Sequence, residues 1–261
     1  MIDWWQWRSE PALVCILIAA GWGYGLVAGP LRSRIAPGAP FPRTEAVRFY
    51  AALLLCYLAV ASPFGRVAVA FLFSAHMVQE LVIMYPVAVL ALRGLPGWML
   101  DAVVARPPVR RVLGWLLRPL FCGGLFVLVV TGWHLPRPFE WAIEDESAHA
   151  VQQVSLFIAA VLFWWPLISP SRVFPPLGFA GRLVYLFCTE VALTALFSYL
   201  LMADHGIYPT YEFAPRLLAS LDPVNDQVLG GILLSAVSSL VLLIALGLTF
   251  RHWSRKDAPH R

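Results

Sequence analysis

The sequence predicts an all-α integral membrane protein: a bundle of seven transmembrane helices, with the N-terminus outside and the C-terminus in the cytoplasm. Three observations predict it. Of the 261 residues, 60% are hydrophobic and only 13% are charged, where a soluble domain carries about 25% charged residues. Apolar runs long enough to cross a bilayer alternate with short breaks rich in Pro, Gly and Arg. The basic residues gather on one side of those runs. A mean hydropathy of +0.73 and eleven Trp fit the same class, since Trp collects at membrane interfaces. No basic run with interleaved aromatics is present, so the sequence makes no case for nucleic-acid binding.

Residues 1–10 carry three Trp and lack the basic stretch of a cleavable signal, so they are expected to lie at the headgroup level as an interfacial segment. The transmembrane domain is expected over residues 11–250. Its first span is 11–28, and a Pro- and Arg-rich loop at 29–44 follows, unsuited to hydrocarbon. The second span is 45–62, with Pro63-Phe64-Gly65 as a tight return. The third is 67–93, with a kink expected at Pro86. Residues 94–110, broken by Pro-Gly and Pro-Pro, read as an interfacial segment. The fourth to seventh spans are 112–133, 147–167, 182–202 and 227–250, and residues 251–261 form a basic cytoplasmic tail. Of the nineteen Lys and Arg, Arg8, Arg66, Arg137 and Arg216 fall on the side of the N-terminus and the other fifteen fall opposite. The positive-inside rule then sets the orientation.

Polar residues within the spans are the functional candidates, because ionisable groups at membrane depth are costly and face a bundle interior. Ser74-Ala75-His76-Met77-Val78-Gln79-Glu80 interrupts the third span. His76 and Glu80, four residues apart, share a helical face that Met84 continues, though a Met in such a place also serves as plain packing. His134 ends the fourth span and His205 follows the sixth; for both, the alternative to a ligand is a solvated or capping imidazole. His149 and Gln153, again four apart, open the fifth span, where the alternative is a polar marker of the membrane edge. Four of the six histidines thus lie in the outer half, and His252 and His260 belong to the tail. Glu190 on the sixth span is expected to pair with Arg118 of the fourth as a structural contact. Cys15, Cys56, Cys122 and Cys188 stand singly inside spans, with no Cys-x-x-Cys pair and no disulfide expected.

Several motifs follow one another along the chain: Phe73-Ser74-Ala75-His76-Met77-Val78-Gln79, then Trp133-His134-Leu135-Pro136, then His149-Ala150-Val151-Gln152-Gln153 with Leu162-Phe163-Trp164-Trp165-Pro166. Tyr208-Pro209-x-Tyr211 and Asp226-Gln227-x-x-Gly230-Gly231 complete the series. Together, in this order, they resemble the CtaG-type cytochrome c oxidase assembly factor family, and the likeness covers residues 45–250. It implies a multi-pass protein of the bacterial cytoplasmic (inner) membrane that delivers copper to, or assembles, a haem-copper cytochrome c oxidase. The implied partners are cytochrome c oxidase subunits or another respiratory membrane complex, with the lipid bilayer around the bundle. Copper is the implied cofactor, with His76, Glu80, His149, His134 and Met84 as metal-site candidates and Gln153 as a weak one.

The chain departs from the family pattern where Glu80 and Gln153 stand in place of histidines and Gln152 in place of a glutamate. Glu80 offers a hard oxygen ill suited to Cu(I), so the metal site is degenerate. A structural or accessory subunit, permanently bound in a respiratory complex without metal, is the alternative. A proton-coupled transporter using Glu80 and Glu190 would need internal repeats or broken helices. A haem-binding electron carrier would need a second histidine at the depth of His76, whereas His149 reads as nearer the surface. No nucleophile, acid/base dyad or cofactor motif marks an enzyme.

Overall fold

The computed structural model describes residues 7–8, 10–217 and 220–257, and among these all regular structure is helical. The helices are α1 (Pro11–Ala28), α2 (Arg32–Ile35), α3 (Arg43–Ala61), α4 (Pro63–Ala70), α5 (Phe73–Arg93), α6 (Gly97–Val104) and α7 (Pro107–Leu116). They continue with α8 (Pro119–Trp133), α9 (Pro136–Glu144), α10 (Glu146–Ile168), α11 (Phe179–Leu201), α12 (Pro209–Glu212) and α13 (Pro223–Asp257). Seven of them begin on a proline, whose fixed φ and missing N–H suit the first helical position. The Pro-rich breaks of the sequence are therefore helix starts. Six helices are long and apolar enough to cross a membrane, or seven if the bent pair α7 and α8 counts as one. This is the make-up of a multi-pass membrane protein.

Helices α5, α10, α8, α11 and α13 form a closed ring, each packed on the next and α13 back on α5. Their inner faces make one apolar core, including Met84, Phe126, Phe163, Trp164 and Leu193. Helix α3 lies outside α5, and α1 is held on α3 by a Tyr24–Phe49 stack at 4.4 Å and by Tyr50 Oη donating to Gly21 O at 2.9 Å. Of the six straight candidate spans among the described residues, α5 and α10 alone bury more than half of their apolar length. The two helices that carry most of the polar candidates are the most enclosed.

Several boundaries differ from the hydropathy reading. The third span does not start at residue 67. Residues 63–70 form the separate helix α4, Leu72 is extended (φ −130°, ψ 121°), and α5 starts at Phe73. The fourth span is not one rod, because α7 and α8 meet at 63° across Leu117 and Arg118. Arg118 precedes Pro119 and takes the extended conformation (φ −64°, ψ 133°) that a following proline imposes. Helices α9 and α12 occupy stretches that read as loops, and α13 continues past residue 250 to Asp257. Pro86 is accommodated in a π-turn, Ile83–Val87, where Ala88 N–H donates five residues back to Ile83 O and Trp164 Nε1 donates to Met84 O at 3.0 Å. The expected Glu190–Arg118 pair is not formed; a Glu190 oxygen instead accepts from Ser239 Oγ on α13. Of the interfacial segment, residues 1–6 and 9 lie outside the described residues, while Trp7 stacks on Tyr57 at 5.6 Å. The side chain of His252 and all of His260 also lie outside them.

Candidate functional site

The site begins with how α5 starts. No residue of its own caps it. Asp226, from the first turn of α13, accepts from Phe73 N at 2.7 Å, from Ser74 N at 3.3 Å and from Ser74 Oγ. A carboxylate at a helix N-terminus meets both the free N–H groups and the positive end of the helix dipole. The approach of α13 depends on Gly230, since a Cβ there would fall 2.4 Å from a Phe73 ring carbon and 3.1 Å from Met77 Cγ. Gly231 meets α11 in the same way, with Leu200 Cβ 3.1 Å from where its own Cβ would be. These contacts explain the Asp-Gln-x-x-Gly-Gly motif. The neighbouring Gln227 Oε1 accepts from Ile207 N at 2.6 Å and so anchors the segment between α11 and α13.

That anchoring places His76 in the first turn of α5 and Glu80 one turn further on, with His76 Nε2 3.2 Å from Glu80 Oε1. His134 arrives from the end of α8. Its Nδ1 is 2.7 Å from Val130 O; a carbonyl only accepts, so Nδ1 carries a proton. Its Nε2 lies 3.3 Å from Met77 Sδ and 3.4 Å from Glu80 Oε2. His76, Glu80 and His134 are all 0% exposed. From α10, the His149 ring lies 6.0 Å from that of His76, and Gln153 Nε2 is 3.3 Å from His149 Nε2. Gln153 also donates to Gln79 Oε1 at 3.5 Å, and Gln79 donates to Ala59 O at the end of α3 at 2.8 Å. Four transmembrane segments thus converge on one buried polar centre.

Helices α9 and α12 roof it. Phe139 of α9 is fully buried, 5.2 Å from the His76 ring and 4.1 Å from Tyr208. Tyr208 Oη donates to His134 O at 2.7 Å, and its ring stacks on Phe73 at 5.0 Å. Tyr211 Oη donates to Ala68 O of α4 at 2.7 Å. The two roof helices are joined by the Glu140 carboxylate of α9, which accepts from Thr210 N and Thr210 Oγ1 at the start of α12. Burial raises both tyrosine phenols well above their ordinary range, and both keep the O–H that makes these bonds.

The sequence-predicted residues are not all here. His76, Glu80 and His134 meet directly, and His149 and Gln153 stand beside them. Met84 does not join: its side chain belongs to the apolar core, and the thioether facing His134 is that of Met77. His134 is not a solvated helix-end imidazole, because the roof covers it. His149 is not a surface residue relative to His76. His205 is exposed, and only its carbonyl takes part, accepting from Gln227 Nε2 at 3.4 Å.

As a host for an ion the centre has mixed qualities. His76 Nδ1, Glu80 Oε2, Gln153 Oε1 and both polar atoms of Gln152 are buried without a hydrogen-bond partner, which leaves coordinating capacity unused. Yet among the described residues no three His, Cys, Asp or Glu side chains are grouped so as to hold a metal together. The directed pair of soft and borderline donors is His134 Nε2 with Met77 Sδ.

No curated protein and no solved structure matches the chain. A family model described as cytochrome c oxidase caa3 assembly factor matches residues 22–256, a stretch that contains the whole centre and its roof. The chain belongs to the cytochrome c oxidase caa3 assembly factor family.

Proposed function

We propose that the protein handles copper during assembly of a cytochrome c oxidase, holding the ion as cargo in the roofed centre before it passes to the client enzyme. The observation that carries this reading is the set of His134: Nδ1 bonded to its own helix, Nε2 turned on a thioether and a carboxylate. Imidazole and thioether together suit Cu(I), and His76 and Glu80 add a further nitrogen and oxygen beside them. The degenerate positions then have a role. Glu80 bridges toward two imidazoles, and Gln153 ties His149 to Gln79 rather than ligating. The excess of Lys and Arg opposite the N-terminus supports an orientation with the centre in the outward half of the bacterial cytoplasmic membrane. The role of an assembly factor is a non-catalytic one, working with oxidase components.

Titration of the detergent-solubilised chain with Cu(I) tests this. About one tightly held copper per chain is expected, weakened about tenfold or more by His134→Ala or Met77→Leu but not by Met84→Leu. Unchanged affinity in both of the first two variants would overturn the assignment. A second reading, a permanent subunit with a purely hydrogen-bonded centre, is favoured by the lack of a three-residue ligand group among the described residues. It predicts no copper uptake and stoichiometric co-purification with respiratory subunits.

A further inference from the structure

A cavity of about 530 Å³ opens beyond the end of α11, with Pro136, Tyr199, Met202, His205 and Ile207 among the residues that line it. Two of these tie it to the roofed centre. Pro136 follows His134 by two residues, and Ile207 immediately precedes Tyr208, whose Oη donates to His134 O at 2.7 Å. Gln227 of α13 pins this wall, accepting from Ile207 N at 2.6 Å and donating to His205 O at 3.4 Å. The second bond engages only the backbone of His205 and leaves the imidazole to line the cavity. Among the described side chains, Met202, 79% exposed, and His205 are the one exposed methionine and the one exposed histidine. Met77, Met84, His76, His134 and His149 are buried, and Met99 is half-buried. A single exposed apolar residue needs no explanation. A thioether three residues from an imidazole, both lining one concavity, is a donor pair that suits Cu(I). Exposed Asp204 and the Glu212 carboxylate, whose Oε2 lies 3.1 Å from where a Cβ on Gly206 would be, add the negative charge that draws in a cation. Two donors hold an ion less firmly than a closed set, as a stage that the ion must leave requires.

We propose that this cavity is the entry site for Cu(I), where Met202 Sδ and the His205 imidazole hold the ion before it passes the wall of the roof to the centre. The proposal rests on the copper reading and names the route by which the cargo is loaded. The ion stays Cu(I) throughout, and each step exchanges one lone-pair donor for another. Stopped-flow mixing of the full chain in detergent with Cu(I) as its coloured bicinchoninate complex tests it, loss of colour reporting transfer. With the chelator in excess the cavity is sparsely occupied, so the loading rate follows the affinity of the cavity. Losing a partner at a metal site costs about 10–100-fold in affinity, so Met202→Leu and His205→Ala should each slow loading about tenfold or more. The copper finally held per chain, and its affinity, should not change. Neither substitution threatens the fold, because both side chains are exposed and His205→Ala keeps the carbonyl that Gln227 binds. Loading at the wild-type rate in either variant would overturn the two-donor entry site. Loss of the tightly held copper itself would also overturn it, since the pair would then belong to the centre. A wild-type chain that takes up no copper sinks the copper reading, and the entry site with it.

Discussion

Replacing Asp226 with Ala isolates the link between α13 and the start of α5. Asp226 is 3% exposed, and its carboxylate accepts from Phe73 N, Ser74 N and Ser74 Oγ. Without it three donors at a buried helix start lose their partner. Each unsatisfied buried donor costs about 1–3 kcal/mol, and partial relaxation into the space left by the carboxylate brings the total to about 3–5 kcal/mol, the range for breaking a buried charged contact. Asp145 is the matched control. It caps α10 from within, accepting from Ala148 N at 2.8 Å, and it is exposed, so its replacement by Ala should cost about 1 kcal/mol. At about 2–4 °C per kcal/mol for a chain of this size, the melting temperature in detergent should fall roughly 6–20 °C for Asp226→Ala and roughly 2–4 °C for Asp145→Ala. Copper retention should fall with Asp226→Ala below its melting temperature too, because His76 sits in the turn that loses its cap. Equal shifts in the two variants would refute a cap supplied across the bundle.

Other outcomes follow from the same geometry. Gly230→Ala should destabilise by about 1–3 kcal/mol through its clash with Phe73 and Met77, whereas Gly124→Ala on α8, with nothing within 4 Å of the added Cβ, should be neutral or stabilising by about 0.5–1 kcal/mol; thermal melting checks both. Tyr208 and Tyr211 have phenols raised by burial first, and then by neighbouring groups that include Glu80, while the unfolded chain ionises them near about pH 10. A raised folded value means that their contribution is complete below about pH 10 and drains as pH rises beyond it. Melting temperatures should therefore hold into mildly alkaline solution and fall above about pH 10, and phenolate absorbance from these two in the still-folded protein at that pH would contradict their burial. Copper supplied at a hundredfold excess over its Kd should stabilise the chain by about 2.7 kcal/mol, and a chelator should reverse the gain; a melting temperature indifferent to both would mean that the ion does not bind the folded centre.

The spans were legible because hydropathy reports burial in lipid, and the enclosed α5 and α10 were legible from polar residues spaced four apart. What escaped depended on contacts distant in sequence. Ala-Phe-Leu-Phe at residues 70–73 reads as unbroken hydrocarbon, and the break there is stabilised by Asp226, 153 residues away. The break at Arg118-Pro119 did carry a local signal, the X-Pro dipeptide, but averaging over an apolar window hid it. Pro136 likewise marked the start of α9, in a stretch too polar to count as a span. Met84 was reached by periodicity along α5 alone, whereas the thioether beside His134 is that of Met77. The thioether is selected by where α8 delivers His134, which no single-helix periodicity contains. Tyr208, Tyr211, Asp226 and Gly230 were visible as motif letters, while their work as roof, cap and close-approach points needed the third dimension.

The cap that Asp226 places on α5 also has a consequence in time. During synthesis at about 5–20 residues per second, the 153 residues that separate Asp226 from Phe73 take about 8–30 s to follow. For that interval α5, α8 and α10 reach the membrane in turn with His76, His134 and His149 already made, but with the start of α5 unpinned and Tyr208 and Tyr211 absent at first. The centre becomes complete only when α13 inserts. A chain truncated before α13 therefore carries every histidine of the centre but neither the cap on α5 nor the close approach at Gly230.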